Sequence, residues 1–333
     1  MSISLINLVL IFLSSCLLTG LIYKIALQKN LMDIPNHRSS HTLPTPRGGG
    51  LGFILILLGY LLMSPPTLLW TGLAGAVALL SVTGLLDDKL TLSAKTRLLT
   101  QGIAAALVLW AAGPIMVVNF GIFPINLGIF GLILSWFALM WLINLYNFMD
   151  GIDGLAALEM IFICAGALIL LFLPHGTNTD VSSFVWVLLV SILGFFMWNR
   201  PTAKIFMGDV GSATLGLILG FLILATKQEI SLWSWLILAN VFLIDATATL
   251  IERLLQKQRI YEAHRQHAYQ VASRLYQSHK AVDIRIMLLN ILWLLPLAVL
   301  SHLSPQHTQV WIYVVSSAPL ISLKLKLRET FLK

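Results

Sequence analysis

The chain has 333 residues, of which 58% are hydrophobic and 11% charged, with a mean hydropathy of +0.88, a composition that excludes disorder, a coiled coil and a soluble Rossmann enzyme. It reads as one all-α polytopic membrane domain over 1–333. The net charge of +7, from 21 Lys plus Arg against 14 Asp plus Glu, reports basic cytoplasmic loops in such a chain rather than nucleic-acid binding.

A helix needs about 20 apolar residues to cross the hydrocarbon core, so uncharged runs can be divided by length and by their Pro, Gly and Asn breaks. Residues 3–23 carry no charge before Lys24. They lack a basic leader and a small-residue cleavage signal, and read as a retained first span rather than a signal peptide. The uncharged run 48–86 is split by Ser64-Pro65-Pro66, because proline ends helices and constrains the residue before it. The run 98–149 is too long for one crossing. Within it Gly113-Pro114 and the glycines at 121 and 128 predict a break, and Val117-Val118 with residues 123–127 suit a small periplasmic hairpin. Further spans are predicted at 155–173, 182–198, 211–226, 231–251, 284–301 and 309–323, about eleven in all, with ten as the lower count. Cys16 and Cys164 lie inside apolar runs, leaving neither a disulfide framework nor a cysteine metal site.

Cytoplasmic loops are enriched in Lys and Arg near span ends. Placing the N-terminus in the periplasm puts 20 of the 21 basic residues inside and only Lys227 outside. The inside segments are then about 24–47, 87–97, 147–153, 199–210 and 253–283, with a cytoplasmic tail at 324–333.

On this topology Asp87, Asp88, Asp150, Asp153 and Asp209 reach one face of the membrane from different loops. Each alone could be a helix cap or a solvated acid; together they predict a site. Asp87 and Asp88 end an apolar helix, and adjacent like charges become favourable when a divalent cation or a basic substrate group neutralises them. Asn144, Asn147, Asp150 and Asp153 recur every three residues, the step that puts helical neighbours on one face. Gly151 and Gly154 would let the backbone turn tightly or a ligand approach. Phe206-Met207-Gly208-Asp209-Val210-Gly211-Ser212 opens a span with small residues around one acid, a natural phosphate cradle, with Phe206 able to stack on a base. His264, Arg265 and His267 can bind a diphosphate, whereas two histidines at this spacing do not make a zinc site.

In this order Asp87-Asp88, Asn144-x-x-Asn147-x-x-Asp150-Gly, Gly208-Asp209-x-Gly211-Ser212 and the histidine loop resemble the polyprenyl-phosphate N-acetylhexosamine-1-phosphate transferases, glycosyltransferase family 4, over about 35–269. Pro35-Asn36-x-Arg38 and His41-x-x-Pro44-Thr-Pro-Arg47-Gly48-Gly49 resemble that family's first cytoplasmic loop. The resemblance implies a bacterial inner-membrane enzyme of ten or eleven helices with a cytoplasmic cleft. It implies transfer of a sugar phosphate from a UDP-N-acetylhexosamine to undecaprenyl phosphate, releasing UMP, with Mg2+ as cofactor, replaceable by Mn2+. Asp209, with Asn147 and Asp150, would hold the metal. Asp87 would deprotonate or orient the acceptor phosphate with Asp88 in support. Asn144 and Gly151 would contact substrate; His264, Arg265 and His267 would hold the diphosphate, and Asp153, Phe206 and His41 would lie near the uridine. Several members pack as dimers, so a homodimer is implied as well. His264-Arg265-Gln266-His267 replaces a run of three histidines, which points away from a muramoyl-pentapeptide donor and towards the enzymes that initiate O-antigen and related envelope glycans.

The rival reading is a secondary transporter, whose sites lie near the midplane at the interface of repeats. Only Glu159 and Asp245 fall inside predicted spans, and no second half repeats their context. A scaffold without activity does not account for the clustered acids, and the spaced Asp-Gly pattern of CDP-alcohol phosphotransferases is absent.

Overall fold

The computed structural model describes residues 3–35, 43–173, 180–258 and 264–332. Helix α1 (Leu5–Gln28) begins at Ser4, whose hydroxyl accepts the Asn7 N–H. Helices α3 (Leu68–Leu90) and α4 (Ala94–Ala112) start in the same way at Thr67 and Ser93, each side chain satisfying a donor that the first turn leaves unpaired. Between α1 and α3 lies α2 (Leu51–Met63), which stops at Ser64 before the two prolines. A two-residue ladder pairs β1 (Met32–Asp33) with β2 (Thr45–Pro46) in the first loop. The expected hairpin is present: β3 (Val117–Asn119) pairs antiparallel with β4 (Pro124–Asn126), Val118 opposite Ile125.

Helices α5 (Ile129–Phe148), α6 (Leu155–Leu171), α7 (Asp180–Asn199) and α8 (Asp209–Ala225) follow. The ninth predicted span is not straight. It breaks at Ala239 into α9 (Leu232–Leu238) and α10 (Asn240–Leu255), bent by 81°. Short α11 (Ala268–Tyr276) precedes α12 (His279–Leu289), a π turn (Asn290–Leu294), α13 (Leu295–Leu303) and α14 (Gln306–Leu332). The π turn opens where the Asn290 amide donates to buried Glu159 at 2.7 Å, and Pro296 follows without an N–H to give. Glu159, inside a predicted span, is therefore tied to a neighbouring helix.

Every predicted span falls on these helices, the ninth across α9 and α10 and the tenth across α12, the π turn and α13. Six helices are long and apolar enough to cross a membrane, seven spans if the bent pair counts as one, while α2, α6 and α8 are shorter apolar helices. Helix α8 is the axis of the bundle: from Val210 to Leu224 only Ala213 escapes full burial. It packs against α3, α4 and α5. Glycine makes that packing possible, since a Cβ on Gly84 of α3 would stand 2.5 Å from Val210 backbone, and one on Gly216 would strike Leu142 of α5. Lys227, the basic residue placed outside, donates to the carbonyls of Ala112, Gly113 and Pro114 at 2.8, 3.2 and 3.3 Å, neutralising the carbonyl end of α4.

Candidate active site

The tight seam between α3 and α8 decides where the acids meet. Because Gly84 admits the first turn of α8, the end of α3 lies beside it, and the Asp209 N–H points at Asp88 Oδ1 at 3.4 Å. Asp209 and Asp87 come within side-chain hydrogen-bond reach of one another. Two carboxylates at such a distance repel unless a proton or a cation stands between them. Arg97 reaches Asp87 Oδ2 at 3.2 Å, and Asp87 Oδ1 also accepts the Leu92 N–H at 2.5 Å. Arg47 donates to the Asp88 carbonyl and stands 4.0 Å from its carboxylate. Asp88 Oδ2 is buried with no hydrogen-bond partner.

The second motif arrives at the end of α5. Asn147 Oδ1 accepts the Ser212 hydroxyl at 2.6 Å, joining α5 to the α8 cradle. Asp150 follows in the loop, where burial, then the charges of Asp209, Asp88 and Asp153, push its carboxyl well above the usual carboxylate range. Asn144 is one helical turn away from that centre: its amide exchanges hydrogen bonds with Gln101 of α4 at 2.8 and 3.3 Å. Gly151 does provide a close approach, but the group that occupies it is the Tyr269 hydroxyl, which donates to the Phe148 carbonyl at 2.9 Å.

The first loop and the cradle form one backbone unit. Gly49 and Gly50 donate to the carbonyls of Phe206 and Met207, both at 2.9 Å, and Phe206 N–H returns to Pro46 at 2.8 Å. Asn199, at the end of α7, accepts from Gly154 N–H at 3.1 Å and donates to Ile205 at 3.0 Å, stapling the loop of Asp153 to the loop of Phe206. Sequence reasoning passed over Asn199, Arg47 and Arg97 as site residues; the available signal was a polar group at the end of an apolar helix and an arginine beside three glycines.

Beside the acids opens a cleft of about 740 Å3 lined by Asp153, Phe206, Arg265 and His279, among others. Asp153 accepts the Ala203 N–H at 3.1 Å and stands 3.2 Å from His279. The His264 and His267 rings lie 4.9 Å apart, tilted by 30°, and Tyr269 stacks on His267 at 5.7 Å. Burial, then the neighbouring charges of His267 and Arg253, lower His264 to about 4. His264 is thus neutral near pH 7. Asp245 sits beneath this loop, accepting the N–H groups of Ala268 and Tyr269 at 2.8 and 3.1 Å, with His267 Nδ1 3.6 Å from its carboxylate. His41 lies outside the described residues.

Among the described residues the centre between α3, α5 and α8 presents carboxylate and amide oxygens of Asp87, Asp88, Asn147, Asp150 and Asp209, one of them, Asp88 Oδ2, buried without a partner, which is the donor chemistry of a hard divalent cation. Among the described residues no three acids or imidazoles are already closed into a ligand set.

The model of glycosyl transferase family 4 matches residues 70–227. Over 300 residues the chain is 31% identical to a probable undecaprenyl-phosphate N-acetylglucosaminyl 1-phosphate transferase of Bacillus subtilis (strain 168), covering 84% of this chain and 80% of that protein. It is 28% identical over 251 residues to a phospho-N-acetylmuramoyl-pentapeptide-transferase of Streptococcus pyogenes serotype M6, covering 69% and 72%.

Proposed function

The chain belongs to glycosyl transferase family 4 and is a membrane-bound sugar-1-phosphate transferase acting on a polyprenyl phosphate, and from that premise we propose that it moves an N-acetylhexosamine 1-phosphate from a UDP-sugar to undecaprenyl phosphate. UMP leaves, and the lipid-diphosphate sugar starts O-antigen or a related envelope glycan. The supporting observation is the convergence of Asp87, Asp88, Asn147, Asp150 and Asp209 at one end of the bundle beside the cleft of Asp153, Phe206 and Arg265.

The acceptor phosphate oxygen attacks the sugar-bearing phosphorus, and the bond from that phosphorus to the bridging oxygen of UMP breaks. Asp88 carries an oxygen with no partner and is the group available to take the acceptor's proton. Asp87, engaged by Arg97 and Leu92, orients the acceptor. Arg265 with His264 and His267 holds the diphosphate, His264 by its N–H rather than by charge; Phe206 and Asp153 face the nucleoside from the cleft wall. Asp209, Asn147 and Asp150 are the residues that would hold Mg2+ or Mn2+, and a bound divalent ion would neutralise the charge developing on the transferred phosphoryl group. Catalysis here rests on positioning and charge neutralisation.

The test is magnesium-dependent exchange of labelled UMP into a panel of UDP-N-acetylhexosamines, with undecaprenyl phosphate and an Asp209→Asn control. Exchange with one donor, absent in the control, supports the reading. Folded protein that exchanges with no donor rejects it.

A further inference from the structure

A second concavity, of about 670 Å3, opens between the end of α7, the loop after it and the first turns of α12. Its wall is apolar and its rim is basic. The loop folds back on α7, with Arg200 and Lys204 N–H groups donating to Phe196 and Trp198 at 2.9 Å, so both cations stand on one rim. Lys204 Nζ lies 5.3 Å over the Trp198 ring. Lys280 faces them from the first turn of α12, an end where a helix favours negative charge and a lone cation is misplaced. Arg200, Lys204 and Lys280 are exposed and make no ion pair among the described residues. Below them Met197, Ile284, Leu288 and Ile291 are apolar and exposed, as side chains facing acyl chains are. Asp283 also lines the space; its buried carboxyl lies against Gly154 with neither oxygen hydrogen-bonded, and the charge that favours it is that of His279 on the cleft side.

Unpaired cations above an apolar trough at one end of membrane helices have one ligand chemistry that satisfies both parts, a phosphate carried on acyl chains. We propose that the trough binds one anionic phospholipid of the bilayer, its phosphate among Arg200, Lys204 and Lys280 and its chains along Met197, Ile284 and Leu288. An anion there also restores the charge preference of the α12 terminus. Pro201, Thr202 and Lys280 line both this trough and the cleft that holds Phe206. The bound lipid therefore braces the loop between α7 and α8 from behind.

The test uses the whole protein in mixed micelles and reads binding directly, so it stands whether or not the proposed transfer reaction does. Trp198 lies in the trough wall, its indole fixed to the Cys16 carbonyl at 2.9 Å, and reports nearby bromine-labelled acyl chains by fluorescence quenching. Brominated phosphatidylglycerol should reach half-maximal quenching at an about tenfold lower mole fraction than brominated phosphatidylcholine. The preference should vanish from the difference signal in Trp198→Phe, and in the combined Arg200→Gln, Lys204→Gln, Lys280→Gln protein, whose exposed substitutions leave the unfolding temperature unchanged. Equal quenching by the two lipids overturns the proposal, as does a preference that survives the triple substitution. Displacement of brominated phosphatidylglycerol by equimolar undecaprenyl phosphate also overturns it, because the trough would then be an acceptor site.

Discussion

Lys324, on the last helix, donates to Asp245 Oδ1 at 3.0 Å inside the bundle, with both residues 6% exposed. Lys324 also reaches the Thr249 hydroxyl, and the same carboxylate takes the first N–H groups of α11. One buried acid thus fastens the histidine loop to two membrane helices. Removing one partner of such a pair leaves an uncompensated charge and costs about 3–5 kcal/mol. Asp245→Asn should lower kcat/KM for the donor by about tenfold or more, and in a His267→Gln background it should add little, because the two changes remove one arrangement. Steady-state kinetics of the four proteins checks this; fully multiplicative effects would make Asp245 a residue of the scaffold alone.

Ser212 offers a gentler probe of the centre. Ser212→Ala removes its 2.6 Å hydrogen bond to Asn147 at a cost of about 1 kcal/mol and frees the amide to turn. The magnesium concentration for half-maximal activity should rise about 10- to 100-fold, the usual effect of losing a group that orients a ligand. A magnesium titration that superimposes on wild type would remove Asn147 from the metal site.

The seam between α3 and α8 predicts a contrast between two glycines. Gly84→Ala puts a methyl group 2.5 Å from Val210 backbone, whereas Gly59 has nothing within 4 Å of the same position. Gly84→Ala should destabilise by about 1–3 kcal/mol and lose most activity by pushing Asp88 from Asp209; Gly59→Ala should change neither. Paired unfolding and exchange assays measure both.

Asp150 gives the acid site a pH signature. Its carboxyl is raised in the folded protein, by burial first and by Asp209, Asp88 and Asp153 next, so folding favours its protonated form. Stability from this group is present below the ordinary carboxylate pKa and is lost as pH rises through the raised value. In EDTA the unfolding temperature should fall as pH rises from the carboxylate range towards neutrality and above, and added Mg2+ should recover more of it at high pH than at low. Magnesium stabilisation independent of pH would separate the ion from Asp150.

Length of apolar run, proline position and the bias of basic residues were enough to place the helices, the hairpin of Val118 and Ile125, and the end of the bundle where the acids gather. These are local properties, since desolvating a backbone demands a helix of set length wherever the run occurs. The ordered motifs also carried the family. What local pattern does not contain is pairing between distant segments. No Pro or Gly marks the 81° break at Ala239; just after it the buried Asn240 amide donates to the Ser316 and Ser317 hydroxyls of α14, both at 3.0 Å. Lys324 reads in sequence as one of several tail cations, and only the packing of α14 against α10 buries it on an acid 79 residues away. Asn144 and Asn147 look equivalent at three-residue spacing, yet the rotation of α5 gives one to Gln101 and the other to Ser212. The sequence determined which segments enter the membrane because burial is paid residue by residue; the tertiary structure decided which polar groups meet, because each buried charge takes whatever partner the neighbouring helices present.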